Sequence, residues 1–146
     1  MKISTKGRYG LRAMVDLAIH SDKRPISLGS IAARQGVSIN YLEQAFALLK
    51  KAKLVKGIKG SSGGYQLGKI PEKMKVIEIL KVLEGGIGIE EAEPNEEDNL
   101  MRHCIKKLVW QPIDDQLQEA LTHITLQDLV DDYYQQKECE GLMFYI

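Results

Sequence analysis

The chain has 146 residues, 44% of them hydrophobic, which suits one domain of ordinary size or a small module with a helical arm. It contains no run of 18 apolar residues and starts without the apolar stretch of a signal peptide, so we expect a cytoplasmic protein without membrane contact. Its net charge of zero hides a division: residues 1–70 carry 13 Lys and Arg against three acids, and residues 71–146 carry 7 against 17. A basic half is typical of a polyanion-binding protein, although a solvated lysine-rich surface has the same composition.

Three helices and a hairpin are predicted in the basic half. Apolar spacing predicts a first helix over residues 8–20. Ser27 is placed to cap a second helix that ends at Gly36, and Ser38 to cap a third that runs to about Lys51. Strand-like pieces at residues 54–56 and 65–67 flank residues 57–64, where four glycines favour a hairpin tip. A fourth amphipathic helix is predicted over residues 74–84.

The acidic half is predicted to begin with a solvated loop and to continue as a long helix over residues 99–124. Pro112 should interrupt this helix, and Thr125 should cap a short last helix ending near Asp132. The expected fold is mostly α with a small β wing: a winged helix-turn-helix domain at 1–84, an acidic loop at 85–98, and a dimerisation helix with a C-terminal tail at 99–146. The long apolar stripe of that helix predicts a homodimer, because two antiparallel copies would bury both stripes.

A helix-turn-helix needs small and apolar residues where its two helices touch and a glycine in the turn. Ala32, Gly36 and Leu42 have this spacing, although Gln35 is more polar than the turn prefers. An ordinary helical hairpin uses the same turn chemistry. The basic charge and the hairpin that follows favour DNA binding over that alternative.

The first turns of a recognition helix enter the major groove of DNA. The amide of Gln44 can pair with adenine, and Glu43 can accept from the amino group of cytosine or, as the alternative, form a surface salt bridge. Lys59 at the hairpin tip suits a minor groove, unless the hairpin is a plain surface loop, and lysines near the third helix suit phosphates. The predicted DNA-binding residues are Lys6, Arg8, Ser38, Asn40, Tyr41, Glu43, Gln44, Lys50, Lys56, Lys59 and Ser61, of which Lys6 and Arg8 are expected just before the first helix.

Three segments resemble the Rrf2 family of bacterial regulators: KISTKGRYGLRAM, ISLGSIAARQGVSINYLEQ and KGSSGGYQLGK. The family includes the iron–sulfur cluster regulator and the cysteine-metabolism repressor, and the resemblance runs from Met1 to about Asp132. It implies a winged-helix domain, a long dimerisation helix and a two-fold dimer on a partly palindromic site. It also implies DNA contacts by Tyr41, Glu43 and Gln44. Lys59 stands where the family usually has arginine, so the charge is kept without the planar guanidinium.

Cluster-binding members of that family carry three cysteines with five residues between neighbours, and a histidine three places after the last. Cys104 aligns with the last cysteine, but the other positions hold Asp98, Ala92 and Lys107. We therefore expect no cofactor; the alternative is a regulator that senses a [2Fe–2S] cluster through atypical ligands. Cys104, the candidate sensor residue, is then either a small side chain on a packed helix face or a redox-reactive thiol.

The chain ends on large, mostly apolar residues with a free carboxylate. This ending resembles the cysteine-metabolism repressor branch and the isoleucine-terminated tail by which serine acetyltransferase engages cysteine synthase. Phe144, Tyr145 and Ile146 are therefore candidate partner-binding residues for cysteine synthase, or they pack against the chain's own dimer.

The sequence has no nucleophile–base motif, phosphate loop or dinucleotide fingerprint, so an enzyme is not expected. A protein-interaction module without a DNA role is the remaining class. The expected function is that of a homodimeric, sequence-specific regulator of sulfur, cysteine or iron–sulfur metabolism, more specifically a repressor.

Overall fold

A computed structural model of the protein describes residues 2–22, 24–89 and 99–143. Within these ranges the chain is mainly helical, with one two-stranded antiparallel sheet. The elements in chain order are α1 (Thr5–His20), α2 (Leu28–Gln35), α3 (Ile39–Lys51), β1 (Val55–Ile58), β2 (Gly64–Leu67), α4 (Val76–Glu84), α5 (Leu100–Ile105), α6 (Gln111–Thr122) and α7 (Leu126–Met143). The predicted mostly α fold with a small β wing is confirmed. None of the described helices is both long and apolar enough to cross a membrane.

Helix α1 begins three residues earlier than its apolar spacing predicts. The hydroxyl of Ser4 accepts a hydrogen bond from the backbone N–H of Gly7 at 3.0 Å and so caps the helix. Glu84, at the end of α4, in turn accepts from the N–H of Ser4 at 3.1 Å and from its hydroxyl at 2.6 Å. The prediction that Lys6 and Arg8 precede the first helix was therefore wrong, because both lie within α1.

Helices α2 and α3 are separated by the tight turn that the sequence predicts. Ser27 accepts from the N–H of Ser30 at 3.2 Å, and Ser38 accepts from the N–H of Asn40 at 3.3 Å, so both helices are N-capped by serine. Gly36 ends α2 in the left-handed conformation, with φ of 63°. These three residues fix where the helix pair begins, turns and resumes.

Strands β1 and β2 pair from Val55 opposite Leu67 to Ile58 opposite Gly64. The hairpin is also tied to the segment before α2, since Ile26 and Tyr65 exchange two backbone hydrogen bonds of 2.9 and 2.8 Å. A Cβ at Gly64 would lie 2.5 Å from the backbone carbonyl of Ile26, and φ there is +155°. Only glycine permits this close approach, which anchors the base of the wing.

The core lies where α1, α3 and α4 meet, and it is completed by the start of α7. Its buried members are Ala13, Met14, Leu17, Ile31, Leu42, Ala45, Phe46, Leu49, Leu54, Val55, Met74, Ile79, Leu83 and Leu126. Two backbone hydrogen bonds join the start of α7 to the segment before α4. The N–H of Leu126 donates to the carbonyl of Met74 at 2.7 Å, and the N–H of Val76 donates to the carbonyl of Ile124 at 2.9 Å. The winged-helix core therefore includes a residue from the far end of the chain.

Helices α5 and α6 form the predicted long helix, joined by a π-helical turn at Lys106–Trp110. The N–H of Gln111 donates to the carbonyl of Lys106, five residues back. Pro112 follows directly and has no N–H of its own, so the widened turn accommodates its ring. The interruption predicted at Pro112 is therefore a π-helical turn just before the proline.

Helix α7 is eighteen residues long, so the prediction of a short last helix ending near Asp132 was wrong. Thr125 and Asp128 form the predicted cap, with reciprocal bonds of 3.1 and 2.9 Å between side chain and backbone. The apolar pattern stops at Val130, but the helix continues to Met143 with every residue after Val130 exposed. The acidic residues 90–98 and the tail residues Phe144, Tyr145 and Ile146 lie outside the described residues.

Candidate nucleic-acid interface

Helix α3 presents one buried face and one exposed face. Leu42, Ala45, Phe46 and Leu49 are fully buried. The predicted reading residues all lie on the exposed face or at its cap: Ser38, Asn40, Tyr41, Glu43 and Gln44. The amphipathic pattern of α3 thus turns every predicted base-reading side chain away from the core.

The two edges of this exposed face point toward different neighbours. With about 3.6 residues per turn, Glu43 and Lys50 fall in one row, and Tyr41 falls on the opposite edge. The Lys50 ammonium lies along β1, where a Cβ built on Gly57 would be 3.2 Å from its Nζ. Tyr41 contacts α1 instead, with its ring centroid 5.9 Å from that of Tyr9. The Glu43 edge therefore faces the wing and the Tyr41 edge faces α1.

The wing carries the remaining predicted groove contacts. Lys56 on β1 and Lys59 and Ser61 in the connecting loop are all exposed. The loop closes through a 3.0 Å hydrogen bond from the N–H of Gly63 to the carbonyl of Gly60. The wing therefore offers one cation on β1 and a second cation with a hydroxyl in its connecting loop, a composition suited to phosphates and a narrow groove.

The two N-terminal cations differ in accessibility. Arg8 is exposed, and its Nε donates to the carbonyl of Ile3 at 3.2 Å. Lys6 is half-buried. Of this pair, Arg8 is the better placed for a phosphate.

A buried carboxylate that the sequence reading missed holds the helix-turn-helix to α1. Asp16 has a side chain only 1% exposed and accepts from Arg34 Nη2 at 2.7 Å, from Arg34 Nε at 3.0 and 3.2 Å, and from Gln35 Nε2 at 2.9 Å. An acid between Val15 and Leu17 on an apolar helix face is the signal that could have revealed it. The polar Gln35, which fits the turn pattern poorly, is explained by this bond.

Asp16 is charged in the folded protein. Burial by itself would raise the pKa of its carboxyl, but hydrogen bonds from Arg34 and Gln35 and the positive charge of Arg34 outweigh burial, so the pKa lies below its ordinary value. The bidentate geometry of Arg34 fits two carboxylate oxygens at once. The result is a charged clamp between α1 and the end of α2.

Comparison with known proteins then identifies the family. The Rrf2 sequence profile, described as that of an iron-dependent transcriptional regulator, matches residues 3–132. The chain belongs to the Rrf2 family. It is 44% identical to the HTH-type transcriptional regulator CymR of Bacillus subtilis (strain 168) over 146 residues, 100% of each chain. It is 34% identical to the HTH-type transcriptional regulator IscR of Pectobacterium atrosepticum over 132 residues, 90% of this chain and 80% of that one.

Solved structures give the same answer for the fold. The structure of CymR (YrzC), described as the global cysteine regulator of B. subtilis, superposes with a TM-score of 0.75 at 43% identity, covering 90% of this chain and 97% of that one. This Rrf2 member is therefore a DNA-binding transcriptional regulator with a winged-helix fold, and the predictions of family, fold and function class are confirmed. Rrf2 proteins are regulators rather than enzymes, as expected.

The segment around Cys104, the candidate sensor residue, has an unusual donor set. Cys104 on α5 is exposed, so the interpretation of a small side chain on a packed helix face does not hold within the single chain. The described residues include no group of three or more His, Cys, Asp or Glu side chains arranged to hold a metal. Lys107, at the family's histidine position, carries an ammonium that cannot ligate while protonated. A single thiol beside a lysine supplies few of the thiolate ligands that iron–sulfur clusters use.

Proposed function

We propose that this Rrf2 member is a cytoplasmic homodimer that represses genes of sulfur or cysteine metabolism. The observation that carries the proposal is full-length similarity to a protein described as a global cysteine regulator. Each subunit would read bases with the exposed face of α3 and hold phosphates and a minor groove with its wing. Two half-sites in a partly palindromic operator then match the two-fold symmetry of the dimer.

Exposed apolar side chains along the α5–α6 segment support the homodimer. Leu100 is 80% exposed, Met101 78% and Leu108 73%, and several large exposed apolar side chains on one segment are typical of a protein–protein contact. Further large apolar residues of this segment are also exposed: Ile105, Val109, Trp110 and Ile113. A second copy of the same segment has the complementary apolar surface that these residues need.

Replacing Leu108 by Asp tests the dimer. A charge in the middle of an apolar interface is costly, so we expect the variant to sediment as a monomer and to lose most operator affinity. Gln116→Asp adds the same charge at an exposed polar position of α6 and should leave the mass unchanged. Analytical ultracentrifugation gives the answer; a dimeric Leu108→Asp protein would show that this segment is not the interface.

The two kinds of DNA contact are expected to respond differently to mutation. Glu43→Ala should change which base is preferred at one position of each half-site, by roughly 1–3 kcal/mol, because Glu43 is expected to contact the edge of a single base. Lys59→Ala should weaken all sequences alike and flatten the salt dependence, because a lysine at the wing supplies charge rather than sequence information. Binding of both variants to a library of single-base operator changes distinguishes these outcomes. Uniform weakening by Glu43→Ala would assign it to a surface salt bridge.

We also propose that regulation does not depend on an iron–sulfur cluster. The support is chemical: Cys104 is the one thiol at the family's four ligand positions, and Lys107 replaces the histidine. After anaerobic reconstitution with iron and sulfide, the purified protein should stay colourless. A stable visible absorption band that is lost in Cys104→Ala would instead favour the second candidate function, a cluster-sensing regulator with atypical ligands. The description of the family as iron-dependent supports this second candidate.

The third part of the proposal concerns residues Phe144, Tyr145 and Ile146. These three residues are large and mostly apolar, a composition suited to a peptide that inserts into a partner's pocket. Cysteine synthase is the proposed partner. A chain lacking residues 143–146 should fail to bind cysteine synthase in calorimetry, whereas the intact chain binds. Unchanged binding by the shortened chain, or no binding by the intact one, would refute this partner.

A further inference from the structure

Tyr41 does not stand freely on the recognition helix. Although its side chain is 45% exposed, its ring lies edge-on to Tyr9 of α1, with centroids 5.9 Å apart and ring planes at 75°. Edge-to-face aromatic pairs at this separation are attractive beyond the area that they bury. The contact therefore selects one orientation of an exposed side chain that would otherwise sample several.

Tyr9 also contacts Arg12, one turn further along α1. The guanidinium carbon of Arg12 lies 5.6 Å from the centroid of the Tyr9 ring, within the range of a cation–π contact. Arg12 also donates from Nη2 to the backbone carbonyl of Gln35 at 2.7 Å, with longer bonds of 3.4 Å to the Gln35 side chain. The cation is thus fixed between an aromatic ring of α1 and the last residue of α2.

These contacts form one continuous series across the helix-turn-helix. It runs from the buried Asp16 to Gln35, from Gln35 to Arg12, from Arg12 to Tyr9 and from Tyr9 to Tyr41. Consequently a single face of α1 holds both the end of α2 and the first turn of α3. An exposed side chain fixed in this way loses less conformational entropy when it binds.

We propose that Tyr9 is a positioning residue for DNA reading, which orients Tyr41 on the recognition helix without itself contacting DNA. The proposal rests on the proposed role of Tyr41 in the interface. Half-buried against the core, Tyr9 takes part in the fold through its ring. Its exposed contact with Tyr41 serves the interface. Because the contact is between rings, phenylalanine at position 9 preserves it and leucine does not.

The test compares Tyr9→Leu and Tyr9→Phe in two backgrounds, the natural chain and Tyr41→Ala. Affinities for a selected operator and for a scrambled duplex are measured by fluorescence anisotropy at a temperature where thermal melts show all proteins folded. We expect Tyr9→Leu to weaken operator binding roughly threefold to tenfold, the range for one aromatic pair. Scrambled DNA should be bound as before, Tyr9→Phe should bind like the natural chain, and in the Tyr41→Ala background Tyr9→Leu should have no further effect.

Several outcomes would overturn the proposal. An equal loss from Tyr9→Leu in the Tyr41→Ala background would mean that Tyr9 acts on the fold or touches DNA directly, and a Tyr9→Phe protein as weak as Tyr9→Leu would exclude the ring contact. If Tyr9→Leu does not fold, Arg12→Met removes the cation over the ring and should give a smaller loss that again depends on Tyr41. If Tyr41→Ala binds the operator normally, the roles proposed for both tyrosines are wrong, but the proposed regulatory function is unaffected. If the natural chain binds no operator, the proposed function is wrong as well.

Discussion

Asp16→Ala is expected to lower the free energy of unfolding by about 2–4 kcal/mol, among the largest effects of any single substitution outside the apolar core. The carboxylate is 1% exposed and accepts four hydrogen bonds from Arg34 and Gln35, so its loss leaves a charged and a polar donor without their acceptor. Arg34 remains 35% exposed and can bind water instead, which keeps the cost below that of a fully buried pair. Operator affinity should fall too, because the clamp fixes the end of α2.

Urea denaturation followed by circular dichroism measures this difference. Asp22→Ala is the matched control, since it removes the same charge from an exposed position near the end of α1 and should change stability by less than about 0.5 kcal/mol. Equal midpoints for Asp16→Ala and Asp22→Ala would mean that the clamp contributes nothing to the fold.

The pH dependence of this contribution has a defined sign. The folded pKa of Asp16 lies below its ordinary value, so folding favours the charged carboxylate. The stabilisation is fully present above the unfolded pKa of about 3.9 and is lost as the pH falls through the lower folded pKa. The stability difference between the natural chain and Asp16→Asn should therefore shrink as the pH is lowered below about 4. A difference that grows on acidification would contradict this assignment.

Leu126→Ala is expected to destabilise the winged-helix module by about 2–5 kcal/mol, the cost of a cavity at a fully buried leucine. The residue lies in the common core with α1, α3 and α4, and its N–H is bonded to Met74 at 2.7 Å. Because Leu126 joins α7 to the core that it shares with α1, α3 and α4, unfolding should remain a single transition, with its midpoint at a lower temperature. Calorimetry measures both features.

The control for this prediction lies on the same helix. Leu142→Ala removes the same atoms from a side chain that is 65% exposed near the end of α7, and the midpoint should shift little. If instead Leu126→Ala unfolds α7 while the module melts as before, then α7 is an appendage and the shared core is not cooperative.

Local chemistry explains which parts of the fold could be predicted. Ser27, Gly36 and Ser38 determine helix ends within a few residues of themselves, so the helix-turn-helix and its boundaries follow from the sequence. Ser4 caps α1 through an equally local bond to Gly7, but the apolar spacing begins only after it and so predicts a later start. The bond from its hydroxyl to Glu84, 80 positions away, depends on the fold. Asp16 interrupts an apolar helix face and Gln35 is too polar for the turn pattern. Their pairing could not be predicted, because the fold brings them together across 19 positions.

The C-terminal half was harder to predict for a different reason. Amphipathic spacing reports burial, and α7 beyond Val130 is helical without being buried in the single chain, so the pattern gave no signal there. The α5–α6 segment shows the converse, because its apolar spacing predicts a stripe and several large side chains of this segment, such as Leu100 and Leu108, are exposed. Apolar periodicity thus identifies an apolar stripe but does not say what covers it.

We propose that two chains bind one operator through α3 and the wing. Equilibrium titration of a duplex selected by the protein from a random library, repeated across a range of salt concentrations, measures both the stoichiometry and the number of phosphate contacts. We expect a partly palindromic site, two chains per duplex, and an affinity that falls about 10³–10⁵-fold between 50 and 200 mM salt if 6–10 phosphates are contacted. No enriched sequence, one chain per duplex, or an affinity insensitive to salt would contradict it.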